Sequence, residues 1–139
     1  MIAYVDSSVL LRVVFGQPNQ LKEWARIQHA VSSALTRVES LRTLDRLRLR
    51  APLADTEVAR RRGAILQLLD SFELVEVDPL VLDRASQPMP TELGTLDAIH
   101  LATSLLWREQ HNGEIVMATH DGALTIAAQS HGFTVVGHP

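Results

Sequence analysis

Apolar and polar positions along this chain switch repeatedly between two spacings, and the switches mark its elements. Ile2–Val5 is a continuous apolar run that reads as a buried strand, cut off at Asp6. Ser7–Phe15 reads as a short helix ended by Gly16 and Pro18. Asn19–His29 has helical character, with Leu21, Trp24 and Ala25 on one side, and Ala30–Leu35 reads as a second strand. Thr36–Arg50 is predicted as a helix from the recurrence of Val38, Leu41, Leu44 and Leu47, stopped by Ala51-Pro52. Asp55–Ser71 is another, with Val58, Ile65, Leu66 and Leu69 inward. Phe72–Val77 alternates apolar residues with Glu73 and Glu76, as a strand does. Pro79–Ala85 is a short helix, and Gln87–Gly94, with two prolines and a glycine, is loop. Leu96–Glu109 is an amphipathic helix around Ile99, Ala102, Leu106 and Trp107. Asn112-Gly113 turns into a strand at Ile115–Ala118; Asp121–His131 is helix, and Phe133–Val136 is the last strand.

Strands that alternate with helices in this way predict an α/β fold, a mainly parallel sheet covered by helices on both faces. The length of 139 residues suits one domain spanning 1–139. There is no internal repeat and no low-complexity linker.

Composition narrows the chemistry. Aromatics are 4% of the chain, so the core is aliphatic and a platform that stacks single-stranded bases on exposed rings is disfavoured. The absence of cysteine excludes disulfides, iron–sulfur clusters, cysteine-based zinc sites and thiol nucleophiles, and it fits a cytoplasmic protein. No apolar stretch is long enough to span a bilayer, and no basic segment precedes Ile2–Val5 as in a secretory signal. The net charge of −3 is unevenly spread. Between Arg37 and Arg62 lie eight arginines and four acids, a net +4, which leaves −7 for the remainder. That segment is either a footprint for phosphates or a pair of solvated helix faces.

Four acids occupy comparable places. Asp6 follows the first strand, Glu39 lies near the start of the helix after the second, Asp121 follows Ile115–Ala118, and Asp97 opens the helix Leu96–Glu109. In an open parallel sheet the strand C-termini share one edge, which is where ligands bind. Each acid also has a structural role open to it. Asp6 and Asp121 are placed to cap helices, Thr36 and Glu39 fit a reciprocal capping box, and Asp97 favours a helix dipole. Taken together, four carboxylates at one edge repel one another, and a divalent cation relieves that repulsion. Oxygen donors without cysteine or a dense histidine cluster suit Mg²⁺ or Mn²⁺, and such sites support phosphoryl chemistry by metal-activated water.

Other chemistries find less support. The seven glycines are scattered, with no phosphate loop, and no G-x-S-x-G elbow is present. Phosphatases that use an aspartyl nucleophile of the haloacid dehalogenase type need a second Asp two residues on, where Ser8 stands here. Ser7 and Ser8 are better read as supports of Asp6 or of the helix start. His100, three residues after Asp97, reads as a supporting or packing residue, and His120 as a neighbour of the site. His29, His111, His131 and His138 read as surface residues.

The stretches YVDSSVLL, SSALTRVESLR, GTLDAIHLATSL and MATHDGALTIAAQSHGFTVV resemble, in order and spacing, the PIN-domain ribonucleases, specifically the toxin subunits of VapBC toxin–antitoxin modules. The resemblance covers essentially the whole chain. It implies a three-layer α/β/α sandwich and a pocket of acids binding Mg²⁺ or Mn²⁺. By position, Asp6 and Asp97 become metal ligands, Glu39 and Asp121 complete the pocket, and Ser8 and Thr119 support it. It also implies an endoribonuclease that arrests translation, a homodimer, and inhibition by a cognate VapB-type antitoxin. Arg42 and Arg46, one and two turns beyond Glu39, are candidate RNA-phosphate contacts. The alternatives are a PIN-fold binding module without catalysis and a small metal-dependent phosphatase.

Overall fold

The computed structural model describes residues 1–137. Its elements in chain order are β1 (Ile2–Val5), α1 (Ser7–Val14), a 3-10 turn (Trp24–Arg26), β2 (His29–Ser33), α2 (Leu35–Arg50), α3 (Asp55–Asp70), β3 (Glu73–Val75), α4 (Pro79–Ala85), α5 (Thr95–His111), β4 (Val116–Ala118), α6 (Gly122–Ser130) and β5 (Val135–Val136). The strands form one sheet in the order β3-β2-β1-β4-β5, and every pairing is parallel. Among the described residues, no helix is long and apolar enough to cross a membrane.

Side-chain alternation along each strand sends residues to two different cores. Tyr4, Val31 and Met117 pack on one face with Leu101, Leu105 and Leu124 of α5 and α6. Ala3, Val5, Ala30 and Ala118 face the other way with Val9 and Leu21. Leu10, Leu44, Ile65 and Leu69 extend that second layer across α1, α2 and α3. The layers are therefore helix, sheet, helix, as expected of an α/β/α sandwich.

Two expectations from spacing need correction. Asn19–His29 is not a helix; it holds only the 3-10 turn Trp24–Arg26, and His29 already belongs to β2. The segment is held residue by residue instead. Leu21 is buried, Asn19 takes a left-handed conformation at φ 61°, and the amide of Gln28 bonds to the carbonyl of Met1 at 3.0 Å. Nor is Val38 part of the buried face of α2: it is 56% exposed, while Thr36, Ser40 and Leu44 are buried. Thr36 turns inward here because a hydroxyl of β2 receives it. Ser32 Oγ donates to the Val5 carbonyl at 2.6 Å, so the Thr36 hydroxyl, 2.7 Å away, donates to Ser32 Oγ.

α5 is more deeply set than an amphipathic helix. Ala98 and the run His100–Leu105 are buried, with Trp107 beyond them. Its C-cap Asn112 is left-handed at φ 46°, as the Asn-Gly signal implies. Of the histidines read as surface residues, His29 and His111 are exposed and His131 is half-buried; His138 lies outside the described residues.

The orientation of α2 is open to direct measurement. Leu44→Ala is expected to lower stability by about 2–4 kcal/mol, and Val38→Ala by less than about 0.5 kcal/mol, in urea denaturation followed by circular dichroism. Equal losses would mean that α2 presents the face its leucine spacing predicts.

Candidate active site

The order of the strands creates the site. The chain builds β1, β2 and β3 outward in one direction, then crosses back to add β4 and β5 on the other side of β1. The C-terminal ends of β1 and β4 therefore border a switch point, the place where open α/β sheets bind ligands. Asp6 ends β1, and Thr119, His120 and Asp121 follow β4.

Asp6 stands at the N-cap position of α1 yet makes no capping hydrogen bond through its side chain. Its carboxylate instead accepts from Ser8 Oγ at 2.7 Å and from Thr119 Oγ1 at 3.0 Å. The second bond spans the switch point, beside the bond from the Asp6 amide to the Ala118 carbonyl at 3.0 Å. Ser8 also accepts from the His120 amide at 3.0 Å, and Thr119 accepts from the Asp121 amide at 3.0 Å. Asp6 is 4% exposed and its side chain is fixed from both sides. Asp121 does cap its helix, accepting from the Leu124 amide at 2.8 Å.

Glu39 is not in a capping box. The N-cap of α2 is Ala34, and the Leu35 amide bonds to Ser33 Oγ at 3.0 Å. Glu39 Oε1 lies 2.5 Å from His100 Nε2, whose opposite nitrogen, Nδ1, lies 2.6 Å from the Tyr4 hydroxyl. Asp6 Oδ1 is 3.7 Å from the same Nε2. His100 thus reaches from α5 over the end of the sheet to α2 and brings Glu39 and Asp6 around one buried ring. Tyr4 is the anchor the sequence did not reveal. It is one apolar-looking residue within a strand, and its partner lies 96 residues away.

The chain matches the PIN domain over residues 3–132. The chain belongs to the PIN-domain family. It is 36% identical over 138 residues to Ribonuclease VapC46 of Mycobacterium tuberculosis (strain ATCC 25618 / H37Rv), a match covering 96% of this chain and 95% of that protein. It is 28% identical over 137 residues to Ribonuclease VapC47 of M. tuberculosis (strain CDC 1551 / Oshkosh), covering 94% and 92%. The solved structure of PAE2754 from Pyrobaculum aerophilum has the same fold at a TM-score of 0.62, with 23% identity, covering 96% of this chain and 83% of that one.

The electrostatics of this PIN domain record the convergence of its acids. Burial pushes the Asp97 carboxyl up to about 6, and the charges of Asp121, Asp6 and Glu39 push in the same direction, against His100. The charges of the other three acids singled out in the sequence therefore all reach Asp97. Burial alone would lower the basicity of His100, but its hydrogen bond to Glu39 and the charges of Asp6, Glu39 and Asp97 outweigh that, so its pKa is raised. When protonated, its Nε2–H donates to Glu39 and its Nδ1–H to the Tyr4 oxygen. Burial, with the Asp6 charge next, raises the Tyr4 phenol well above its ordinary range, so it stays neutral beside the acids.

The donor set fits a hard divalent cation. All four acids offer oxygen, their mutual repulsion is only partly met by His100, and the chain has no cysteine to favour a softer ion. Among the described residues, no three His, Asp or Glu side chains form a ready-made cage. Mg²⁺ commonly takes one or two carboxylates and keeps several waters.

The signs of the two shifted groups differ. Asp97 has a native pKa of about 6 against an ordinary 3.8, so its ionisation destabilises the fold as pH rises through that window and weighs fully above it. His100, raised above its ordinary 6.5, stabilises the fold below that value and loses the effect as pH climbs through its native pKa. In chelator, Asp97→Asn should therefore gain thermal stability relative to the unaltered protein as pH rises from about 4 to about 6. A difference in Tm that stays constant across that range contradicts the assignment. Tyr4→Phe, which strips the bond from a buried histidine, is expected to cost about 1–3 kcal/mol by urea denaturation.

Proposed function

We propose that this protein is a Mg²⁺- or Mn²⁺-dependent endoribonuclease and the toxin component of a toxin–antitoxin pair. The observation that supports the reading most is the raised Asp97 carboxyl, pushed up by burial first and then by the charges of Asp121, Asp6 and Glu39. The printed names of the two mycobacterial relatives, both ribonucleases, support it. A bound divalent ion would supply water activation and charge neutralisation at the scissile phosphate.

The chain's own residues divide the remaining work. Asp6 and Asp97 hold the ion, and Glu39 and Asp121 orient water or a second ion. Ser8 and Thr119 fix the Asp6 carboxylate in one orientation through their hydroxyls. His100 keeps Glu39 turned toward the site from α5, with Tyr4 behind it. Arg42 and Arg46 lie further along α2 from Glu39, where Arg42 pairs with Asp45 at 3.0 Å and Arg46 donates to Thr43 at 3.1 Å. We assign them to RNA phosphates, to be reached by exchanging those exposed partners. The partner we infer is a VapB-type antitoxin, and the toxin acts as a homodimer.

The decisive experiment incubates the purified protein, free of antitoxin, with total RNA and Mg²⁺ or Mn²⁺. Discrete fragments are expected, and they should vanish with chelator and in Asp6→Asn and Asp97→Asn. Cutting that persists in chelator refutes the metal mechanism, and no cutting of any RNA favours a non-catalytic binding domain. Ser8→Ala and Thr119→Val are expected to lower metal affinity or activity by about 10–100-fold while leaving the circular dichroism spectrum unchanged.

A further inference from the structure

A cleft of about 480 Å³ lies beside the acidic pocket, between α1, the stretch from Asn19 to Glu23, and the turn after β4. Its walls include Arg12, Leu21, Lys22, Glu23, His120 and Gly137. Two hydrogen bonds join this wall to the acids: the His120 amide donates to Ser8 Oγ at 3.0 Å, and Ser8 Oγ donates to Asp6 at 2.7 Å.

The cleft is built rather than incidental. Arg12 Nη1 donates to the Asn19 carbonyl at 3.1 Å, which holds the loop against α1 at its left-handed residue. On the opposite side Gly137 sits at φ +93°, where an added Cβ would come within 3.0 Å of both Leu21 Cδ1 and the Thr119 carbonyl. Only glycine lets the chain pass so close to the cleft wall.

Its charge complements a polyanion. Arg12 and Lys22 both line it, and among the described residues neither is in an ion pair with a carboxylate. Glu23, the one carboxylate of the wall, lies 3.9 Å from Arg26. A strand entering a pocket of four acids meets repulsion, and cations at its flank offset it.

We propose that this cleft is a nucleotide subsite. It takes one nucleotide of a single RNA strand next to the phosphate held at the acids, with Arg12 and Lys22 on its backbone phosphate and the base lying toward Leu21. The proposal rests on the endoribonuclease reading above and adds to it the direction in which the strand leaves the pocket.

The test uses the full chain, Mn²⁺, and a pool of short single-stranded RNAs of mixed sequence carrying 4-thiouridine. Lys22→Glu and Arg12→Gln should each lower kcat/KM on the order of tenfold, chiefly through KM. Each should also flatten the slope of log(kcat/KM) against log salt by about 0.7. Photocrosslinks should fall in the Asn19–Glu23 stretch and at His120. Arg62→Glu, a charge reversal on an exposed part of α3, should leave all of these as they are. The subsite is wrong if Lys22→Glu behaves as the unaltered protein, if Arg62→Glu costs as much, or if crosslinks map only elsewhere. A loss confined to Arg12→Gln also counts against it, since Arg12 holds the loop as well. An unaltered protein that cuts no RNA instead removes the endoribonuclease reading, and the subsite with it.

Discussion

The repulsion among four carboxylates at one sheet edge is the constraint around which this protein is arranged. A buried imidazole is the interaction that contains it. His100 lies 2.5 Å from Glu39 and 3.7 Å from Asp6, and these acids raise its pKa, favouring the charged form. Its other nitrogen is held by Tyr4, a fully buried residue of the central strand. Residues of β1, α2 and α5, one from the sheet and one from each helical layer, therefore meet in a single chain of hydrogen bonds. The containment is incomplete: Asp97 is raised by burial first, and the charges of Asp121, Asp6 and Glu39 add to that. A site that keeps unrelieved negative charge is one that gains when a cation binds.

The sheet supplies rigidity to that arrangement. Asp6 extends from the central strand, whose neighbours on both sides are paired in parallel register. Its carboxylate is gripped by Ser8 on its own helix and by Thr119 across the switch point. The same Ser8 and Thr119 hydroxyls accept the amides of His120 and Asp121. One small network thereby fixes a carboxylate, the start of α6, and the wall of the neighbouring cleft. Its members are short side chains with few rotamers to lose, so their fixation costs little conformational entropy.

Much of this was legible in the sequence. Pro79–Ala85 is the helix its punctuation predicts, and the alternation of strands and helices gives the layered parallel sheet. The four acids stood out because each sits just past a strand or in an early turn of a helix. What misled was spacing read without neighbours. Leu21, Trp24 and Ala25 look like one helical side, but the segment is tied down at separate points, so no helix is required to bury Leu21. Val38 looks like part of a buried row, but Thr36 and Ser40 are buried in its place. Thr36 and Glu39 match a capping box in sequence, but Thr36 bonds to Ser32 and Glu39 to His100 instead.

The sequence by itself determined the alternation of strands and long helices and the parallel sheet, and it singled out four acids for their places along the chain, because periodicity and punctuation are local properties. Only the tertiary structure decided what those acids do with their hydrogen-bonding capacity. Asp6 and Asp121 both stand at helix N-caps; Asp121 caps its helix, and Asp6 is taken by Ser8 and Thr119. Ser8 is a near neighbour, but the Thr119 bond to Asp6, like the Tyr4–His100–Glu39 chain, spans 61 to 113 residues. Such contacts leave no local pattern. They exist because the crossover from β3 back to β4 brings distant strand ends to one edge.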